Sequence, residues 1–240
     1  VIRQNEQSLS LRVQDLEPKD LKGVYKNIDV DMRQYKRIKM FIHAESLPNR
    51  TPLPGDGSLD DLDKRMVAFM RIGTDMTENY YQIEVPLQPT PYTEGVTNNL
   101  SAEEVWQPES NSIDVPLSLF TGAKAKSIQN RSLVGATYFD EDLNQIDEFT
   151  PISSLPGDKK YKIAVRGNPT LGQVRTLMVG VKNPSESPGD YLHGEVWFNE
   201  LRLAEIDSEG GWASVAELDT NIADFATINL NGNISTVGFG

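Results

Sequence analysis

LHGEVWFNELRL, residues 192–203, is the most strand-like run of the sequence, and its reading decides how the rest is divided. It runs directly into AEIDSEGGWASVAELDTNIADFATINLNGNISTVGFG, a longer segment of different pattern that stops on Gly-Phe-Gly without a closing element. Two kinds of structure are expected to meet here. Residues 1–206 read as one β domain whose last strand is this run, and residues 207–240 as a separate hairpin.

Upstream, short apolar-polar alternations recur between turn residues. SLSLRVQDL (8–16) places Leu9, Leu11 and Val13 on one face, the period of a half-buried strand. Ile38, Met40 and Ile42 share a face in the next strand, with Tyr35 just before it. RMVAFMRIGTD (65–75) supplies a third, and NYYQIEVPL (79–87) sends Tyr81, Ile83, Val85 and Leu87 inward. LPNRTPLPGDGSLDDLD (47–63) is rich in Pro, Gly and Asp and reads as an exposed loop. The middle, 88–133, holds Pro-rich turns, one helical turn at SAEEVW and a helix around VPLSLFTGAKAKSI. Residues 133–149 read as a hairpin turning at DEDLNQ, after which KKYKIAVRG, VRTLMVGVKNP and GEVWFNELRL complete a set of about eight strands. With so little helix, the expected fold is mainly β: an antiparallel sandwich, most simply a jelly roll. DMRQYKRIKMFI, VAFMRIG, NYYQIEVPL, TLMVGVKNP and GEVWFNELRL, taken in order, resemble the strand succession of galactose-binding-like jelly rolls.

Downstream, the pattern has two arms around Ala223 and Asp224. Trp212, Ser214, Ala216, Leu218, Thr220 and Ile222 share a face of the first. In the second, Ala226, Ile228, Leu230, Gly232 and Ile234 alternate with Thr227, Asn229, Asn231, Asn233 and Ser235. Each arm has 11 residues (212–222 and 225–235), and roughly 9–11 residues cross a bilayer as a tilted strand. Trp212 and Phe225 sit at arm ends, where aromatic residues mark a membrane interface. An amphipathic hairpin at the edge of a soluble sheet has the same period and is the commoner outcome. Periodicity alone leaves both readings open.

Composition narrows the partners. The 240 residues hold 35 acidic and 23 basic side chains, a formal net charge of −12. That balance argues against nucleic acid and against docking on anionic lipid headgroups, both of which need a basic face. The absence of cysteine excludes disulfides, thiol catalysis and Cys-based metal sites. The longest apolar run, MVAFM, is far short of the roughly 20 residues of a membrane helix, a test that a barrel strand escapes. VIRQNEQ carries neither an initiator Met nor a signal sequence, so the chain reads as an excised or processed piece, and Gly-Phe-Gly as a cut.

Few residues suggest chemistry. His43 and His193 lie near strand ends with no nucleophile elbow in the chain, which favours structural or solvated roles. Asp140, Asp142 and Asn144 have the alternate spacing of the first calcium-loop ligands, but Gln145 and Pro151 stand where such a loop needs Gly and Glu. A hairpin turn explains them better. Asp56, Asp60, Asp61 and Asp63 fit a solvated loop. Glu103 with Glu104, or Glu195 with Glu200, are formal acid and nucleophile pairs whose separation a sequence cannot give. Tyr80, Tyr81, Trp106 and Trp197 are candidates for a sugar-stacking platform, although burial is the usual fate of such rings. No catalytic group or cofactor site is expected.

QNEQSLSLRVQDL, DMRQYKRIKMFIHAE, GEVWFNELRLAEIDSEGGWA and ADFATINLNGNISTVGFG together resemble the SprA/Sov family of Bacteroidetes cell-surface proteins, over about residues 4–240. The resemblance implies type IX secretion and gliding motility. The family's full-length member is an outer-membrane β-barrel translocon of exceptional size that passes folded cargo. This chain would supply a non-enzymatic piece of it: a sandwich inserted between barrel strands, then the hairpin where the chain re-enters the wall. Ile228, Leu230 and Ile234 would face lipid, and Asn229, Asn231 and Asn233 the aqueous lumen. Implied partners are the rest of the barrel, other outer-membrane and periplasmic secretion components, cargo and outer-membrane lipid. The alternative is a carbohydrate-binding jelly roll of a secreted or cell-surface protein.

Overall fold

A computed structural model describes residues 8–45, 66–90, 101–130, 135–206, 213–222 and 226–235. The 47–63 loop with its four aspartates, Trp212, Phe225 and the final Gly-Phe-Gly lie outside the described residues, as do the side chains of Glu104 and of the hairpin arms. The chain divides into two compact units, Val1–Glu205 and Ile206–Gly240.

The first unit is built from eleven of the strands β1 to β13 in chain order: β1 (Leu9–Leu16), β2 (Leu21–Val30), β3 (Tyr35–Glu45), β4 (Val67–Gly73), β5 (Tyr80–Pro86), β6 (Ser112–Pro116), β7 (Ala136–Phe139), β8 (Gln145–Ile146), β9 (Lys162–Arg166), β10 (Val174–Lys182) and β11 (Leu192–Ile206). Two helices interrupt them, α1 (Ala102–Trp106) and α2 (Leu117–Gln129). One sheet has the order β1-β11-β3-β6 and the other β2-β10-β4-β5-β9-β7-β8. The pairings of β1 with β11, β3 with β6, and β10 with both β2 and β4 are antiparallel, as are those along the rest of the larger sheet. The mainly β, two-sheet architecture expected from the sequence is therefore present.

The last long strands complete both sheets. β10 lies between β2 and β4, and β11 between β1 and β3. Pairing over such sequence separations makes closure a late, entropically costly step of folding.

Period-2 patterning builds the core as expected. Ile38, Met40 and Ile42 of β3 and Tyr81, Ile83 and Val85 of β5 are buried in one apolar cluster to which both sheets contribute. Helix α2 adds Leu117, Phe120 and Ala123 from one face. The expected helix, the turn at SAEEVW and the DEDLNQ hairpin all form. The apolar face expected of β1 is buried only at Val13, while Leu9 is 43% exposed.

Two strands break their own parity. In β1, Val13 pairs with Gly194 and Leu16 with Leu192, so one extra residue is accommodated and both apolar side chains stay inside. Asp15, with φ 52°, is the left-handed residue of that bulge. In β11, Val196 and Phe198 are inward, yet so is Leu203, which packs against the core. Glu200 at φ 50° lies between them and supplies the one-residue shift. Without it Leu203 would face the wrong side.

β2 and β6 have no counterpart in the sequence reading, for different reasons. β6 is only five residues long and runs straight into α2. β2, LKGVYKNIDV, is an edge strand, mostly exposed, so it needs no apolar face. Its Gly23 pairs with Gly180 of β10, and a Cβ on Gly180 would lie 2.7 Å from the Phe69 ring. The paired glycines leave the gap that Phe69, fully buried, fills.

Candidate functional site

The middle of the larger sheet is buried on both faces. Strand alternation that sends Tyr81, Ile83 and Val85 into the core places Tyr80, Gln82 and Glu84 on the opposite face, where solvent would be expected. Register then fixes their neighbours: Arg71 opposes Gln82, and Glu84 opposes Lys162. Glu84 and Lys182 are nonetheless 1% and 0% exposed.

What makes that burial tolerable is a continuous network. Arg71 Nε donates to Gln82 Oε1 (2.8 Å), and Gln82 Nε2 donates to Glu84 Oε1 (2.8 Å). Lys182 Nζ donates to the same Glu84 oxygen (3.0 Å) and to Glu148 Oε1 (2.9 Å). Lys162 Nζ stands 3.6 Å from Glu84 Oε2 and donates to the carbonyls of Glu148 (2.5 Å) and Thr150 (3.2 Å). Two lysines thus meet two glutamates, and each cation has several oxygens. Burial pulls the Lys162 amine below its ordinary range, with Lys182 acting in the same direction and Glu84 and Glu148 opposing. The Tyr138 hydroxyl is pushed well above its ordinary range, first by burial and then by the negative charges of Glu84 and Glu148.

The cover over this face is the segment after β8. Glu148 and Phe149 grip Lys182 from above, with the Phe149 ring centroid 5.3 Å from its Nζ and also 4.8 Å from Lys19 Nζ. Ile152 is buried beneath a single 3-10 turn, Ile152–Ser154. Beside this cover opens a cleft of about 600 Å³. Phe149, Pro151 and Ile152 of the cover line it, together with Pro86, Leu87 and the lysines Lys159 and Lys160 just before β9.

The residues singled out in the sequence are scattered. Asp140 accepts from the amides of Asp142 (2.9 Å) and Asn144 (2.8 Å) and from Asn144 Nδ2 (3.0 Å), while Asp142 pairs with Lys159. Those bonds make the segment a side-chain-tied hairpin turn. Asp75 and Asn79 repeat the arrangement in the β4–β5 loop: Asp75 accepts from the amides of Thr77, Glu78 and Asn79 and from Asn79 Nδ2. Burial alone would raise the Asp75 carboxyl, but these donors outweigh it and hold it far below the usual carboxylate range. The shared D-x-x-x-N spelling, DMTEN and DEDLN, was a readable signal of these turns. Among the described residues no group of three or more metal-binding side chains converges.

Tyr80 and Tyr81 are buried on opposite faces of β5, so neither offers an open ring face to a sugar. Trp106 and Trp197 instead flank buried His43, with ring centroids 5.2 and 5.5 Å away. His43 Nδ1 donates to the Val105 carbonyl and Nε2 lies 2.9 Å from Glu45 Oε1, which fastens α1 to the smaller sheet. Glu195 accepts from Ser10 Oγ (2.6 Å) and Trp197 Nε1 (2.8 Å), and Glu200 lies 3.9 Å from Arg202. Each member of that formal pair is committed elsewhere. His193 Nδ1 accepts the Asp15 amide at the β1 bulge.

The second unit is the hairpin of β12 (Ala213–Ile222) and β13 (Ala226–Ser235). Its register pairs Thr220 with Ile228, Leu218 with Leu230 and Ser214 with Ile234. The intervening positions pair Asp219 with Asn229, Glu217 with Asn231 and Val215 with Asn233. Directly opposed residues share a face, so the predominantly apolar positions of both arms fall together, and the Asn positions fall opposite a largely acidic row. Among the described residues no helix is long and apolar enough to cross a membrane, which says nothing of strands.

No curated protein matches the chain. Residues 1–240, both units together, match the model of the SprA_N family, described as motility related/secretion protein, and the chain belongs to that family.

Proposed function

We propose that this chain is a non-enzymatic segment of an outer-membrane translocon of the type IX secretion system, which also serves gliding motility. The first unit is read as a jelly-roll-like, galactose-binding-like sandwich inserted in a large β-barrel, and β12–β13 as two strands of the barrel wall. On this reading Ile228, Leu230 and Ile234 face lipid, while Asn229, Asn231 and Asn233 face the lumen. The rest of the barrel, further secretion components and passing cargo are then its partners.

The observation that carries the reading is the hairpin register. Ten paired positions keep the two patterns on separate faces without a slip, which is what a wall between lipid and water requires of each strand. Because this region contains no cysteine, single cysteines test it directly in the intact membrane protein. Asn231→Cys should react with a water-soluble maleimide, whereas Leu230→Cys should resist it and be quenched by a nitroxide carried on lipid. Equal, fast labelling of both by the water-soluble reagent would defeat the barrel assignment.

A further inference from the structure

The cleft beside the 147–152 cover gathers lysines in an acidic molecule. In a chain with 35 acidic and 23 basic residues, Lys159, Lys160 and Lys162 line it, with Glu109 as its single acid among the described residues. Lys159 is neutralised by Asp142, and Lys162 belongs to the buried network. Lys160 is different. Its Nζ donates to two neutral oxygens, the Glu109 carbonyl (2.5 Å) and Ser112 Oγ (3.0 Å), and among the described residues it forms no ion pair. Burial draws its amine below the ordinary range while the charges of Glu141, Asp114 and Glu109 oppose that shift, so a carboxylate placed on Nζ would be its first directly bonded anion among the described residues.

The neighbouring cover shows how this face holds an extended chain. Lys162 takes two of the cover's main-chain carbonyls, Lys182 takes its glutamate, and the Phe149 ring rests over the Lys182 ammonium. The cleft opens beside it, with Pro86 and Pro151 as apolar surface. Its volume of about 600 Å³ lies within the range of ligand-binding pockets, on the order of 300–1,000 Å³.

We propose that this cleft binds an acidic, extended segment of a partner protein. The segment lies alongside the cover, sets a carboxylate on Lys160 and packs an apolar side chain against Pro86 and Pro151. Charge complementarity selects the partner, since a neutral apolar segment would leave the Lys160 ammonium bonded to neutral oxygens alone. The proposal is independent of the barrel assignment, because it concerns the first unit alone.

The probe is the cover's own sequence as a blocked peptide, acetyl-EFTPI-amide, and its neutral twin acetyl-QFTPI-amide, titrated into the 15N-labelled 240-residue chain. The acidic peptide should shift the amides of Ser110, Lys160 and Ser185, with an affinity about fivefold or more above that of the neutral one and falling with added salt. Lys160→Met should remove that preference, Lys160→Arg should keep it, and Lys26→Met on the far edge strand should change nothing. An otherwise unchanged amide spectrum for Lys160→Met separates lost binding from lost folding. Equal binding of the two peptides would overturn the proposal. So would acetate reproducing the same shifts at the same concentration, which would make this a small-anion site, or no shift at about 5 mM peptide.

Discussion

β2 and β5 belong to the same seven-stranded sheet, and their composition misleads about both. β5, YYQIEVP, holds a glutamine and a glutamate and is buried at every position but its last. β2, LKGVYKNIDV, offers valine, tyrosine and isoleucine and leaves Val24 and Tyr25 39% and 59% exposed. The difference is position. β5 has a strand on each side, the core beneath and the 147–152 cover near its outer face, whereas β2 has one neighbour and an open edge. Polar residues can occupy the middle of the sheet because Arg71, Gln82, Glu84, Lys162 and Lys182 complete one another. A sheet edge has no such obligation.

The largest expected effect comes from breaking that completion. Glu84→Ala leaves Lys162 and Lys182 without their shared carboxylate in a buried setting, a loss of about 3–5 kcal/mol for a buried pair stripped of one partner. Chemical denaturation should show the midpoint falling sharply. Replacing Glu84 by Leu together with Lys182 by Met should recover much of the loss, because it removes charge and counter-charge together. If the single variant unfolded no earlier than the parent, this network would not be what sustains the buried middle of the sheet.

A second variant tests the glycine pair between centre and edge. A Cβ at Gly180 would stand 2.2 Å from the Lys22 carbonyl and 2.7 Å from Phe69, both in packed surroundings. Gly180→Ala should therefore cost about 1–3 kcal/mol through overpacking, and β2 should loosen first. Hydrogen exchange of the β2 and β10 amides would register it as faster exchange there than in β5.

These contrasts mark what the sequence could convey. Ile38, Met40 and Ile42, or Tyr81, Ile83 and Val85, announce an inward face because one period and one apolar set coincide. The same period says nothing of whether the other face is wet. Gln82 and Glu84 read as solvated since their cover and partners, Glu148 and Lys182, are distant in the chain. The parity shifts at Asp15 and Glu200 are equally hidden, because neither residue is a glycine that would flag a left-handed position. The hairpin positions were legible because the second arm alternates strictly and the first nearly so, and the register that joins them follows from a short connection.

Asp75 offers a smaller effect whose sign depends on pH. Its carboxyl is lower in the folded chain than its ordinary 3.8, so its contribution is fully present above that value and fades as pH falls through the folded pKa. Asp75→Asn should cost about 1 kcal/mol at neutral pH by weakening the loop between β4 and β5. The gap between the two proteins should narrow steadily below about pH 4 in acid-unfolding curves. A gap that widened toward acid would mean that the Asp75 oxygens are not held by the amides of 77–79.

The smallest effect belongs to the open edge. Tyr25 opposes Met178 in register but keeps more than half of its surface in water, so little apolar area is lost when it is trimmed. Tyr25→Thr keeps a β-favouring side chain and should change stability by less than about 0.5 kcal/mol, below the effect at Gly180 and far below that at Glu84. The result carries weight because the strand itself is needed: β10 has β2 as its only neighbour on that side. A loss of about 2 kcal/mol or more, measured on the monomeric chain, would require Tyr25 to be covered in solution, and the contrast between centre and edge would then have to be redrawn.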